Sequence, residues 1–399
     1  MNINFHYFAI KTLAIAAGFD DFQAQQIAQY SQFVDDYSPQ SLMTCSNIPK
    51  EITFSSKLDL YAPSLRGNFR PVSTGFSNAF EYAALIIKRE QRLILSPFHF
   101  FAFDEALDDL EDKTQGSVED MRVMPLIYGD NSLIDRMLHM EISNYQNGKN
   151  KNIALIRLGL LLHVFADTYA HQMFTGFVSW ANRVNIIEVK NNITNEDITA
   201  PARAGIRGLF NTALASAPAI GHVQAGHNPD LSHISFAFSY EKRDSIGATP
   251  LQENTETVHS RDNSEAFLEA GRNIFCYLQK CRKDSHNVND NHNISVAMDD
   301  LCHAELPLEL KNKLLQGFMI EMPRRNTVSS LAEHWNQFFP EINYHYDSNE
   351  INRGFRLLPT SISQMAKNAF TAYSEEFYEY NIIANELLVA LYGPRPRRN

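Results

Sequence analysis

The segment LGLLLHVFADTYAHQMF, Leu158 to Phe174, narrows what this chain can fold into more than any other stretch. His163, Asp167 and His171 follow one another at intervals of four residues. At about 100° per residue an α-helix drifts only about 40° per such step, so all three share one face. Their surroundings are apolar, as in a helix at the centre of a helical fold. A carboxylate held there between two imidazoles carries a desolvation cost that calls for a partner. A divalent cation, bound by neutral ring nitrogens and an anionic oxygen, is one such partner; two structural histidines hydrogen-bonded to a buried Asp are the alternative. The i, i+4 spacing, which also occurs in helical zinc sites, favours the cation.

The rest of the chain agrees with a mainly α class. Of its 399 residues 44% are hydrophobic and only 20% charged, which excludes disorder and coiled coil as descriptions of the whole. His6, Ile10, Leu13 and Ala17 share a face of a first helix that Gly18 is placed to end, and Asp20 or Asp21 opens a second that closes near Asp36. Helices are expected at about 75–90, 115–145 in pieces, 151–174, 202–216, 263–284, 307–320, 327–338 and 362–391. Strand alternation is confined to ITFSS near Ile52 and ISFAFSY from Ile234, and polar loops are expected at 246–262 and 284–293. The organisation read from this is a helical core over 1–285, with a helical region over 286–399 that completes it or is appended to it.

A formal charge of −11 argues against a passive electrostatic grip on nucleic acid or anionic membranes. A polyanionic substrate would need a local positive centre, and a metal held by some of the 14 histidines would provide it. Several further residues are candidates. His6 opens helix one, and Asp35-Asp36 stand at the unfavourable end of the second helix dipole, where a cation would compensate them. His99 lies among Phe98, Phe100 and Phe101, company in which a packing histidine is the commoner use. The loop PAIGHVQAGHNPDLSH carries His222, His227, Asp230 and His233, either as ligands or as an ordinary polar turn. Cys276, Cys281 and the Cys302-His303 pair are a poor match to zinc-knuckle spacing, and buried free thiols are the expectation.

No basic charge precedes the first apolar run and Lys11 interrupts it, so no cleavable signal peptide is expected. The protein is then cytoplasmic at synthesis, with any export by a route independent of a signal peptide. No transmembrane segment is expected, because the longest apolar stretch, Ile153 to Ala166, is short for a bilayer and carries Arg157 and His163.

These motifs together resemble the all-α zinc-dependent phospholipase C and P1-type nuclease superfamily over the N-terminal two thirds of the chain. FHYFAIKTLAIAAGF is similar to the first helix of that group, which implies His6 as a zinc ligand. VDDYS resembles its Asp-Tyr segment and implies Asp36, before Tyr37, as both ligand and general base. PFHFFAFD implies His99, and LGLLLHVFADTYAHQMF implies His163 as a ligand with Asp167 bridging two zincs. The chain departs from the group in beginning MNIN where a metal-binding Trp is usual, with Asp35 as a possible substitute. It also has its next His at four residues past Asp167 rather than six, and lacks a His-x-x-x-Glu. His171, His222 and Asp230 are the replacements. GHxxxGHNPD, with the other motifs, looks closest to a divergent bacterial branch of phosphatidylcholine-hydrolysing enzymes.

The resemblance implies two or three zinc ions in a multi-helix bundle and a phosphodiesterase acting on phosphatidylcholine or a related lipid at a membrane surface, with no nucleic acid partner. Phe98, Phe100 and Tyr169 could meet a choline ammonium, although core packing is the commoner use of each. The alternatives are a P1-like single-strand nuclease and a non-catalytic structural metalloprotein.

Overall fold

A computed structural model of the chain describes residues 1–39, 43–44, 68–69, 71–75, 90–103, 117–148, 150–203, 219–240, 257–283, 305–322, 327–357 and 372–392. The fold is mainly α. Helix α1 (Ile10–Ala16) continues a π-helical segment, Asn4–Ala9, and is followed by α2 (Asp21–Asp36), α3 (Leu133–Asn147), α4 (Lys151–Ala170) and α5 (Asn263–Lys283). The C-terminal part adds α6 (Leu308–Phe318), α7 (Thr327–Trp335), α8 (Ser348–Gly354) and α9 (Glu375–Tyr392).

Local chemistry sets the helix ends. Gly18, at φ +96°, turns the chain out of α1 where an L side chain would be strained. Asp20 then caps α2 reciprocally, its carboxylate accepting from the Gln23 amide at 2.8 Å while the Gln23 side chain accepts from the Asp20 amide at 3.4 Å. Ser132 caps α3 by accepting from the Asp135 amide at 3.2 Å.

Helix α4 is the axis of the molecule, packed against α2, α3, α5 and α9. Every residue from Ala154 to Ala170 is buried, as a helix apolar on all sides requires. By length and composition it is the one described helix that could cross a membrane, but 94% of its most apolar window is buried inside the protein. It meets α2 at Gly159, where an added Cβ would come within 2.5 Å of the Ile27 carbonyl oxygen, so the two backbones approach as only glycine permits. Its one charged residue in the first half beyond Lys151, Arg157, is matched by Glu141 of α3 at 2.9 Å and by Glu386 and Glu379 of α9 at 2.5 and 3.4 Å.

A four-stranded antiparallel sheet lies beside the C-terminal end of α4. Its strands are β1 (Val184–Asn191), β2 (Glu196–Asp197), β3 (Ile234–Tyr240) and β4 (His259–Asp262), in the order β2-β1-β3-β4. Val189, Phe236 and Phe238 from it pack with Phe100, Phe174 and Ile220 into a second, smaller core. The main core is one contiguous set of buried side chains running from Met1 to Leu391. Polar contacts join its two ends, with Trp335 donating to Asn4 Oδ1 at 2.6 Å and Tyr344 sharing a hydrogen bond with Thr12 at 2.6 Å.

Strand β3 and most of the helices stand where the periodicity predicts them. The sheet is larger than expected, because β1 went unread and β4 falls in a stretch expected to be loop. Most of the expected helices at 75–90 and 202–216, the strand near Ile52, the loop at 284–293 and the Cys302-His303 pair lie outside the described residues. Cys276 and Cys281 are buried thiols that form no disulfide among the described residues.

Candidate metal centre

Asp167 is 1% exposed and sits where four imidazoles converge. His6 Nε2 is 3.0 Å from its Oδ1, while His99 Nδ1 and His163 Nε2 are each 3.3 Å and His171 Nδ1 3.6 Å from its Oδ2. The α-amino group of Met1 donates to Asp167 Oδ1 and lies 3.5 Å from Asp230 Oδ1.

The candidate ligands come from several local structures. Helix α4 supplies His163 and Asp167 one turn apart on one face, and its C-cap residue is His171. His6 and His99 stand on the two π-helical segments, Asn4–Ala9 and Gln91–His99, the second of which contains Pro97. A widened turn of this kind redirects a side chain that a regular helix would aim elsewhere. His222 immediately precedes the 3₁₀ turn Val223–Ala225 and Asp230 ends a second, Asn228–Asp230, the two joined through Gly226 at φ +64°.

Three groups of donors result, each with its ligand atoms within 4.8 Å of one another: His6, His163 and Asp167; Asp35, His99 and His163; and His171, His222 and Asp230. Seven of the eight residues expected from the sequence are therefore brought together. Asp36 is not one of them, and its place belongs to Asp35, whose Oδ1 is 3.7 Å from His99 Nδ1 and 3.8 Å from His163 Nε2. The reason is helical geometry. Adjacent residues at the end of α2 point about 100° apart, so only one of the pair can face the cluster. Asp36 Oδ2 instead accepts from Tyr346 Oη at 2.5 Å and from Gln32 Nε2 at 3.5 Å. His227 is exposed and His233 packs away from these groups, near Glu321.

The ring tautomers test whether a cation fits. His99 Nε2 contacts the Thr74 carbonyl at 2.7 Å, His171 Nδ1 the His99 carbonyl at 2.5 Å, and His222 Nδ1 the Gly226 carbonyl at 2.7 Å. A carbonyl only accepts, so each of these nitrogens carries the proton. In a neutral ring the other nitrogen then presents its lone pair to a carboxylate: His99 Nδ1 to Asp167, His171 Nε2 to Asp230 Oδ1 at 3.1 Å and His222 Nε2 to Asp230 Oδ2 at 3.2 Å. Lone pair against anion is repulsive unless a proton or a metal ion lies between. Burial pushes His222 down to about 4 and, with His163 and the Met1 ammonium beside it, His6 to about 3, so neither carries that proton at neutral pH. Burial alone would raise the carboxyls. For Asp230 it is outweighed by His222 and the Met1 ammonium, and for Asp167 by His171, the same ammonium, His163 and His6; both are held below the ordinary range. His99 differs: burial is outweighed by its hydrogen bond to Asp167 and the charge of Asp35, which raise it above its ordinary value. The neutral His222 facing ionised Asp230 is the pairing of protonation states that a divalent cation needs, and the residues of that group fit one.

In metal-free protein these directions give a signed pH dependence. His6 and His222 bind fewer protons folded than unfolded, so their contribution to stability is complete above the ordinary value of 6.5 and is lost as pH falls towards about 4 for His222 and about 3 for His6. His222→Gln is expected to flatten the stability profile between pH 6.5 and 4, measured by urea denaturation of chelator-treated protein. An unchanged slope would show that His222 is already charged in the fold.

A family model described as "Family of unknown function (DUF6765)" matches residues 1–386. The chain belongs to this family. No curated protein and no solved structure matches it.

Some of the site had no sequence signal. The Thr74 carbonyl that fixes His99 is a main-chain atom, reached from a segment in which a Cβ on Gly75 would overlap the Asp35 carbonyl. The aromatics near the site serve packing: Phe98 is fully buried, Phe100 stacks on His171 with centroids 4.3 Å apart, and Tyr169 donates to the Leu126 carbonyl.

Proposed function

We propose that the protein is a zinc-dependent phosphodiesterase, a phospholipase C that hydrolyses phosphatidylcholine or a related phospholipid to diacylglycerol and a phosphorylated head group. The observation that carries this reading is the set of three donor groups, two of them sharing His163 and all of them contacting or adjoining Asp167. The resemblance to the zinc-dependent phospholipase C and P1-type nuclease superfamily adds the reaction.

Zinc in these groups would supply Lewis acidity and positive charge for the oxygens of a phosphate diester, which answers how an acidic protein engages an anionic substrate. His6 and Asp167 would hold one ion, Asp35 and His99 a second, with His163 offering its one free nitrogen to either of these, and His171, His222 and Asp230 would hold a third. The residues around them do the orienting. Thr74, His99 and Gly226 carbonyls hold three rings in the ligating tautomer. Asp35, 30% exposed where Asp167 is closed off, is the carboxylate of the site most open to solvent and to an incoming water, and takes the role of proton acceptor that the resemblance implies for Asp36.

The test is to count zinc in purified protein and to assay phosphatidylcholine and single-stranded DNA with and without chelator. At least two zincs per chain and chelator-sensitive lipid hydrolysis are expected. Cleavage of DNA alone would replace the reading with a nuclease, and fewer than two zincs with neither activity would end it.

A further inference from the structure

Outside the donor groups, a set of polar contacts gathers around β4 and the start of α5. Arg261 Nη1 donates to the carbonyls of Tyr169 and Ala170, both at 2.8 Å, and Nη2 to the carbonyl of Pro229 at 3.3 Å. Its Nε donates to Asn263 Oδ1 at 2.8 Å. Asn263, fully buried, uses its amide to donate to the carbonyls of Asn228 at 2.6 Å and Leu231 at 2.8 Å. Beneath the guanidinium lies the ring of Phe236, 4.9 Å away.

These contacts are arranged around one residue. Asn228, Pro229 and Leu231 are the neighbours of Asp230, and the main-chain oxygen of each is held by Arg261 or Asn263. Tyr169 and Ala170 are the last two residues of α4, directly before His171. The two side chains therefore tie the turn that bears Asp230 to the helix end that bears His171, whose Nε2 is 3.1 Å from Asp230 Oδ1. A guanidinium suits this position because the final carbonyls of a helix have no intrahelical donors and sit at the negative end of the dipole, and a planar fork can satisfy several oxygens at once. His6, His99, His163 and Asp35 take none of these contacts.

We propose that Arg261 and Asn263 are positioning residues that set the divalent-cation affinity of the His171–His222–Asp230 group alone. This rests on the metal reading above. Neither side chain is a ligand; both act through the backbone on either side of Asp230. A supporting contact of this kind changes the affinity of the ion it serves by about 10- to 100-fold.

The experiment is zinc titration of chelator-stripped protein by calorimetry, with zinc counted after dialysis, for the unaltered chain, Arg261→Gln, Asn263→Ala and His222→Ala. Arg261→Gln is expected to hold one zinc fewer per chain, or to bind its last zinc about 10- to 100-fold more weakly, with the remaining sites unchanged. Asn263→Ala, which leaves Arg261 on the helix end, is expected to weaken the same ion and covers the case in which Arg261→Gln does not fold. In a His222→Ala background, Arg261→Gln should cause no further loss, because the ion it serves is already gone. Arg261→Lys, which keeps the charge but not the fork, should restore part of the affinity. A merely structural role would instead weaken every site together or lower stability at unchanged stoichiometry, and either result overturns the proposal. Zinc bound by the unaltered chain with no selective change in the variants refutes this inference and leaves the metal reading intact. No zinc bound by the unaltered chain refutes both.

Discussion

Asp167→Ala is expected to reduce bound zinc to at most one ion per chain, to abolish chelator-sensitive hydrolysis, and to destabilise the metal-free fold. The carboxylate lies within 3.6 Å of nitrogens from His6, His99, His163 and His171 and accepts from the Met1 amino group. Its removal would take a ligand oxygen from any bound ion and, when no metal is bound, remove the nearer of two carboxylates facing the buried Met1 ammonium. Breaking a buried charge pair from one side costs roughly 3–5 kcal/mol, a large part of the stability of an ordinary domain. Asp167→Asn separates the two effects, since it keeps the volume and loses the charge. Zinc content by elemental analysis, together with urea denaturation of the metal-free proteins, checks the expectation. Full zinc in Asp167→Ala would mean that the ligands have been assigned wrongly.

How much of this was readable from residues alone depends on the range over which each feature is encoded. The His163, Asp167 and His171 face was legible because a regular helix turns spacing directly into direction. The caps at Asp20 and Gly18 were legible because they are local. Strand β1 was not, since its alternation is broken between Ile186 and Glu188, where the pairing with β3 shifts register. His222 and Asp230 were readable as candidates, but not as partners. Two short 3₁₀ turns bring them 3.2 Å apart only because Gly226 turns the chain between them and Arg261 and Asn263 hold the far side. Nor does any residue pattern reveal that the C-terminal Tyr346 reaches back to the end of α2. That contact decides which aspartate of the pair is free to face the imidazoles.

The same contact makes the second large prediction an ordering of two neighbouring residues. Asp35→Asn is expected to lower hydrolysis by about 10²- to 10⁴-fold, the usual worth of a positioned proton acceptor, and to weaken zinc at the His99 and His163 group. Asp36→Asn is expected to leave turnover near that of the unaltered chain. Burial raises the Asp36 carboxyl above its ordinary range, the Tyr346 hydrogen bond opposes this, and the Asp35 charge adds to it. Its Oδ2 accepts from Tyr346 at 2.5 Å, which holds the carboxylate away from the imidazoles that Asp35 faces. An asparagine keeps an oxygen for Tyr346 to donate to, so the end of α2 stays in place and Asp35 keeps its direction. Tyr346→Phe is the informative companion: without its hydroxyl, Asp36 is released to compete with Asp35 for the same imidazoles, and metal affinity should fall although no ligand has been changed. Turnover lost in Asp36→Asn and kept in Asp35→Asn would reverse the assignment, and with it the claim that the direction of one side chain at a helix end determines which carboxylate takes the proton.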